Sequence, residues 1–177
     1  LPAILDAMKH GEVGLDVYPY IAASSILLAD RAKKSERVYV TWSEALPDQA
    51  GRDLSDIARD MSVGLDETVA RLSPAGAVYF MMDEADVQRV IEFPHTMIGS
   101  DGLPHDTHPH PRLWGTFPRV LGHYARDIGL FSLEEGVRRM TSLTADKFRL
   151  TNRGRLAPGF YADIVIFDPK QIKDTAT

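Results

Sequence analysis

Cysteine is absent from this chain of 177 residues, which excludes disulfides and thiol catalysis within it. Positive charge is in deficit: 20 Lys and Arg stand against 25 Asp and Glu, for a net charge of −5. No basic stripe and no aromatic–basic interleaving occurs, so nucleic acid is not an expected partner. No apolar run reaches membrane-spanning length and the start lacks a signal-peptide pattern. No membrane is therefore expected, and the cytoplasm is the default compartment. An initiator Met is missing as well. The chain opens Leu1-Pro2-Ala3 and moves straight into a helical pattern, as expected of a fragment or processed product. The rest of the composition is 44% hydrophobic and 25% charged, ordinary for a globular protein. The length allows one domain or a little more.

Histidine is what the chain concentrates. Five of the six lie between His95 and His123. They surround the stretch Met97-Ile98-Gly99-Ser100-Asp101-Gly102-Leu103-Pro104-His105, which continues to Asp106, His108, His110 and Arg112. Met97 and Ile98 suit a buried strand, and Gly99 and Gly102 break it. An aspartate at the C-terminal end of a barrel strand is where barrel enzymes keep catalytic groups. A carboxylate there can serve as general base or metal ligand. Ser-Asp-Gly is also an ordinary turn, because Asp and Gly satisfy turn geometry locally. Imidazole titrates near neutral pH and binds metals. His105, His108 and His110, however, alternate with prolines, and a Pro-rich loop can carry solvated histidines with no role. His108-Pro109-His110 has the spelling of a metal pair, but its prolines put it in a loop. A metal site needs three to four converging ligands, so no metal ligand is assigned.

The remaining pattern is read as follows. Ile4 to His10 is a helix stopped by Gly11. Val13 to Tyr20 is a strand ended by Pro19. Ala22 to Leu28 is a small-residue loop, and Val38 to Trp42 a short strand. Leu54 to Met61 and Leu65 to Leu72 are amphipathic helices, Leu54, Ile57, Ala58 and Met61 forming one stripe. Ala77 to Met82 is a strand and Asp83 to Phe93 a helix with an acidic first turn. Thr96 to Ser100 is a strand. A helix runs from Phe117 to Ile128, and Ser132 with Glu135 forms a capping box opening another. Ala145 to Leu150 is a last helical turn. Residues 154–156 and 162–168 read as two strands across a Pro-Gly turn. Alternating elements imply βα units and a parallel sheet. Only the strands near Val17 and Ile98 are of barrel type, and two strands cannot close a barrel of eight.

Several blocks together resemble one family. They are Val17-Tyr18-Pro19-Tyr20, Met82-Asp83-Glu84-Ala85-Asp86-Val87, Met97-Ile98-Gly99-Ser100-Asp101-Gly102, the run from His110 to Arg119, and Gly159-Phe160-Tyr161-Ala162-Asp163-Ile164-Val165. These look like the C-terminal part of D-aminoacylases, the N-acyl-D-amino-acid deacylases of the metal-dependent amidohydrolase superfamily. The resemblance implies an α/β fold: the last two strands of a partial (β/α)8 barrel, an inserted lid segment, and a C-terminal β-hairpin of a small β-domain. The divisions it implies are 1–22 around strand 7, 23–80 as the insert, 81–150 around strand 8, and 151–177 as the hairpin. Asp101 matches the catalytic aspartate, general base on a metal-activated water and then acid toward the leaving amine. Tyr18 and Ser24 match substrate-contacting positions, and Arg112 sits where a cation could assist. Its alternative is a loop-stabilising hydrogen bonder.

The family's other metal ligands, a His-x-His, a cysteine and histidines on earlier strands, are not in this chain. Zinc is therefore implied for the complete enzyme, with none expected in this chain alone. Two functions stay open. One is the C-terminal part of a zinc-dependent hydrolase that cleaves N-acyl-D-amino acids, inactive by itself. The other is a truncated, non-enzymatic remnant binding at most a small acidic ligand. Open sheet edges and apolar faces lead either one to a homo-oligomer.

Overall fold

The computed structural model of the protein describes residues 2–11, 13–104 and 106–176. His105 of the histidine cluster lies outside them. In chain order the elements are α1 (Pro2–His10), β1 (Leu15–Val17), β2 (Ala22–Ile26), α2 (Ala29–Ala32), β3 (Arg37–Ser43), β4 (Arg52–Asp53), α3 (Leu54–Met61), α4 (Leu65–Leu72), β5 (Ala75–Phe80), α5 (Glu84–Glu92), β6 (Thr96–Ile98), α6 (Arg112–Arg119), a π-helix (Val120–Asp127), α7 (Leu133–Met140) and α8 (Ser142–Lys147). Among the described residues no helix is long and apolar enough to cross a membrane. The chain divides into two units, Leu1–Pro19 with Ala85–Asp101 and Trp114–Thr177, and Tyr20–Glu84 with Gly102–Leu113.

In the first unit β1 and β6 pair in parallel, Leu15 opposite Thr96 and Val17 opposite Ile98. Thr96, Met97 and Ile98 are all buried, as parallel strands covered on both faces are. Val87 and Ile91 of α5 pack with Tyr124 of the π-helix, against Val17, Leu130 and Phe131. Ser132 caps α7 by accepting from Glu135 N. The Glu135 carboxylate is taken by Arg138 and Arg139. Arg139, almost wholly buried, donates to the carbonyls of Ile91, Glu92 and Phe93, which end α5.

In the second unit four antiparallel strands run in the order β2-β5-β3-β4. Leu54 and Ile57 of α3 and Val69 and Leu72 of α4 close over Val38, Val40, Ala77 and Tyr79 of the sheet. Full burial of such side chains contributes about 1.5–3 kcal/mol each. The Tyr79 hydroxyl donates to Ile26 O and accepts from Leu28 N, so its polar end is satisfied where β2 ends.

Four expectations are corrected. The first strand covers only Leu15–Val17, and the segment after it is β2, not a loop. Ala22–Ile26 has weak strand propensity but is held along its whole length by β5, from Ala22 opposite Phe80 to Ile26 opposite Gly76. The helix expected from Phe117 begins at Arg112 and widens into a π-helix after Pro118. Proline cannot donate to the preceding turn, so the ladder is disturbed there. The C-terminal β-hairpin does not form: no strand occurs among the described residues 148–176. Arg155 makes a two-pronged ion pair with Asp146 of α8, at 2.7 and 2.6 Å. Gly154 takes a φ of 76° and lies so close to Ala145 and Thr141 that a Cβ would not fit. The two segments touch through Tyr161 N, which donates to Asn152 O at 3.0 Å, and through the Arg153–Asp163 ion pair, but no ladder continues from there, and Ile164, Val165 and Ile166 are 59–94% exposed. The two strands of barrel type do pair in parallel, and as expected they do not close a cylinder.

Candidate functional site

Tyr18 and Asp101 lie just past the C-terminal ends of the paired strands β1 and β6. The parallel ladder carries one bond further, from Gly99 N to Val17 O at 3.1 Å. A Cβ on Gly99 would lie 2.7 Å from Asp16 Oδ2, the end of an exposed side chain that can swing aside. Asp101 then turns with φ of 46° and is exposed. A non-glycine residue in the left-handed region is uncommon, and Asp and Asn adopt it most readily. The carboxylate is therefore presented from a tight turn at a strand end. Pro19, following Tyr18, has its carbonyl held by Arg119 Nε at 2.9 Å. Arg119 also pairs with Asp174 at 3.2 Å.

Ser24 and Arg112 meet in the second unit. Arg112 is 1% exposed and its Nη2 donates to Ser24 O at 3.3 Å. Ser24 Oγ is buried and has no hydrogen-bond partner among the described residues, a state that calls for a ligand, water or another explanation. Gly102 opens the segment that leads to Arg112. A Cβ there would come within 2.9 Å of Leu113 Cα.

His110 was missed as a structured residue: it reads as one histidine of a Pro-rich loop, yet it is 5% exposed. Its Nδ1 accepts from Arg112 N at 2.9 Å, so Nε2 carries the proton and donates to Ala22 O at 3.1 Å. The Tyr20 ring meets it edge-on at 5.3 Å. Burial, and then the Arg112 guanidinium, push its pKa down to about 4 against the smaller raising effect of the Ala22 bond. The available signal was Pro111 before a mixed apolar run, which marks a helix start and makes His110 a capping position.

A metal centre does not fit this donor set. Both ring nitrogens of His110 are engaged, and His108 stands edge-on to Tyr39 with its ring against Gly51. Among the described residues no three His, Asp or Glu side chains converge to hold an ion. What the chain presents is the exposed Asp101 carboxylate after β6, Tyr18 after the paired strand β1, and a buried guanidinium on the Ser24 carbonyl.

A model of the Amidohydrolase family matches residues 33–177. A D-aminoacylase of Alcaligenes xylosoxydans xylosoxydans is 56% identical over 177 residues, covering 100% of this chain and 37% of that protein. The N-acyl-D-aspartate deacylase of the same organism is 48% identical over 177 residues, covering 100% and 36%. The crystal structure of N-acyl-D-glutamate deacylase from Bordetella bronchiseptica, complexed with zinc and a phosphonate mimic of the tetrahedral intermediate, superposes with a TM-score of 0.96 at 47% identity. That match covers 99% of this chain and 37% of the other. The chain thus spans little more than a third of the length of these relatives, and it belongs to the amidohydrolase family, with its similarity directed to the D-aminoacylases and N-acyl-D-amino-acid deacylases.

Proposed function

We propose that this chain carries the proton-transfer aspartate and part of the substrate-binding wall of a hydrolase that converts N-acyl-D-amino acids to a carboxylate and a D-amino acid. The observation that carries the reading is Asp101, exposed and left-handed at the end of β6, beside the end of β1 with Tyr18. The Asp101 carboxylate takes a proton from the water whose oxygen bonds to the amide carbon. It returns that proton to the amine nitrogen as the C–N bond breaks. Tyr18, Ser24 and Arg112 are the proposed substrate contacts. The buried, unsatisfied Ser24 Oγ supports the last two. Zinc is proposed for the complete enzyme on the strength of its relatives. The described residues of this chain do not by themselves fit a metal centre.

Residues 1–22 and 81–150 are proposed as barrel segments, residues 23–80 as the inserted segment, and the assembly as a cytoplasmic homo-oligomer. The test is hydrolysis of paired N-acetyl-D- and N-acetyl-L-amino acids by the protein that contains this chain. Release of the D-amino acid, falling about 10²- to 10⁴-fold in Asp101→Asn, is expected. Asn adopts the same left-handed turn, so the variant keeps the fold and loses only the proton acceptor. Wild-type turnover in the folded variant, or cleavage of the L series alone, overturns the reading.

A further inference from the structure

His110 has no part in the proton transfer assigned to Asp101, yet it is among the most completely engaged side chains of its unit. Three bonds run through this one residue. Its Nδ1 accepts from Arg112 N and its backbone carbonyl accepts from Leu113 N at 3.0 Å. Two of the first amides of α6, which have no partner inside the helix, are thereby satisfied. Its Nε2 donates outward to Ala22 O on β2. Ala22 and Ser24 are two residues apart, so their carbonyls leave the same edge of the strand. Arg112 is tied to that edge twice, through its backbone by way of His110 and through its own Nη2 on Ser24 O.

We propose that His110 is a positioning residue for substrate binding, a splint whose two ring nitrogens join the turn before α6 to strand β2 and so fix the Arg112 guanidinium beside Ser24. The proposal rests on the reading that Arg112 and Ser24 contact the substrate. Arginine carries a long, rotamer-rich side chain whose ordering opposes binding unless it is ordered beforehand. An arginine held at both ends has that ordering already in place. The effect of the splint therefore falls on substrate affinity and not on the proton transfer. The ring must stay uncharged for Nδ1 to accept. Burial favours that, as does Arg112, the charged side chain shown to act on it; the Tyr20 ring meets it edge-on.

Steady-state kinetics on an N-acetyl-D-amino acid, in the protein that contains this chain, distinguishes a splint from a simple helix cap. In His110→Asn the side-chain oxygen still accepts from the amide two residues on, but it is too short to reach Ala22 O. The expected result is a KM raised about tenfold with kcat within about twofold, the scale of one lost buried hydrogen bond. The same substitution in an Arg112→Lys background should raise KM much less, because the guanidinium being positioned is gone. If His110→Asn does not fold, His110→Gln, which reaches Ala22 O but offers no acceptor to Arg112 N, carries the test. A folded variant with lowered stability and unchanged KM reduces His110 to a helix cap and overturns the proposal. Equal KM effects in both backgrounds overturn it as well. An unchanged KM in Arg112→Lys alone overturns the underlying reading of Arg112, a separate failure that the single variant identifies.

Discussion

Lowering the pH from 7.5 to 5 should weaken the unit that holds His110 by about 2 kcal/mol through that one side chain. The folded ring titrates at about 4, against 6.5 for the free imidazole. Between those values the unfolded chain binds a proton that the folded chain refuses. Stability therefore rises with pH across the window and is fully present above about 6.5. One pH unit corresponds to about 1.36 kcal/mol, so the stretch from 6.5 down to 5 gives about 2 kcal/mol, and down to 4 about 3 kcal/mol. Urea unfolding of the wild type and of His110→Asn at both pH values measures it. Trp42 of β3 is a half-buried fluorophore in the same unit, whereas Trp114 is already 72% exposed. The other histidines and all the carboxylates are common to both proteins and cancel in the difference. The wild type should lose about 2 kcal/mol more than the variant. Parallel losses in the two proteins, or a His110 ring resonance titrating near 6.5, would refute the buried, uncharged imidazole.

Arg139→Met should destabilise the first unit by about 3 kcal/mol, because the Glu135 carboxylate and three carbonyls at the end of α5 lose their buried donor. Thermal unfolding reads the loss, and a shift within error would show the network to be idle. Gly122→Ala should cost about 1–3 kcal/mol, since a Cβ there collides with the Ile172 carbonyl, which cannot rotate away as a side-chain end could. An unchanged melting temperature would mean that the 168–174 segment does not pack there. This chain on its own should bind zinc no better than micromolar, judged by competition with a chromophoric chelator, because among the described residues no three donors converge. Stoichiometric nanomolar binding would make the histidine cluster a site after all.

Helices α3 and α4 were legible to the residue because each carries an apolar stripe at helical spacing. β1 and β6 were legible as strands, but their ends were not: each was expected to run two or three residues further, to Tyr20 and Ser100, whereas the ladder stops at Val17 and Ile98. β2 was not legible, because Ala-Ala-Ser-Ser-Ile has no propensity of its own and becomes a strand only through β5, more than fifty residues away. Ile164-Val165-Ile166 shows the converse. It has strong β-propensity, but a strand needs a partner, and among the described residues no other segment forms a ladder with it. Asp101, Tyr18, Ser24 and Arg112 were named from motif resemblance. The splinting role of His110 was invisible because it depends on a carbonyl 88 positions earlier in the chain.

The order β2-β5-β3-β4 leaves two open edges, and they are unequal hazards. β4 has only two residues and is too short to template anything. β2 has five, carries no charge, and ends in Ile26 at 60% exposure. It is the kind of edge on which a second chain could add a strand. His110 and Arg112 occupy two of its outward carbonyls, so the side chains that set the candidate site also serve as gatekeepers against intermolecular pairing. Variants at these positions should then fail by clumping before they fail by unfolding, and their poor solubility would report an unguarded strand in a molecule that is otherwise still folded.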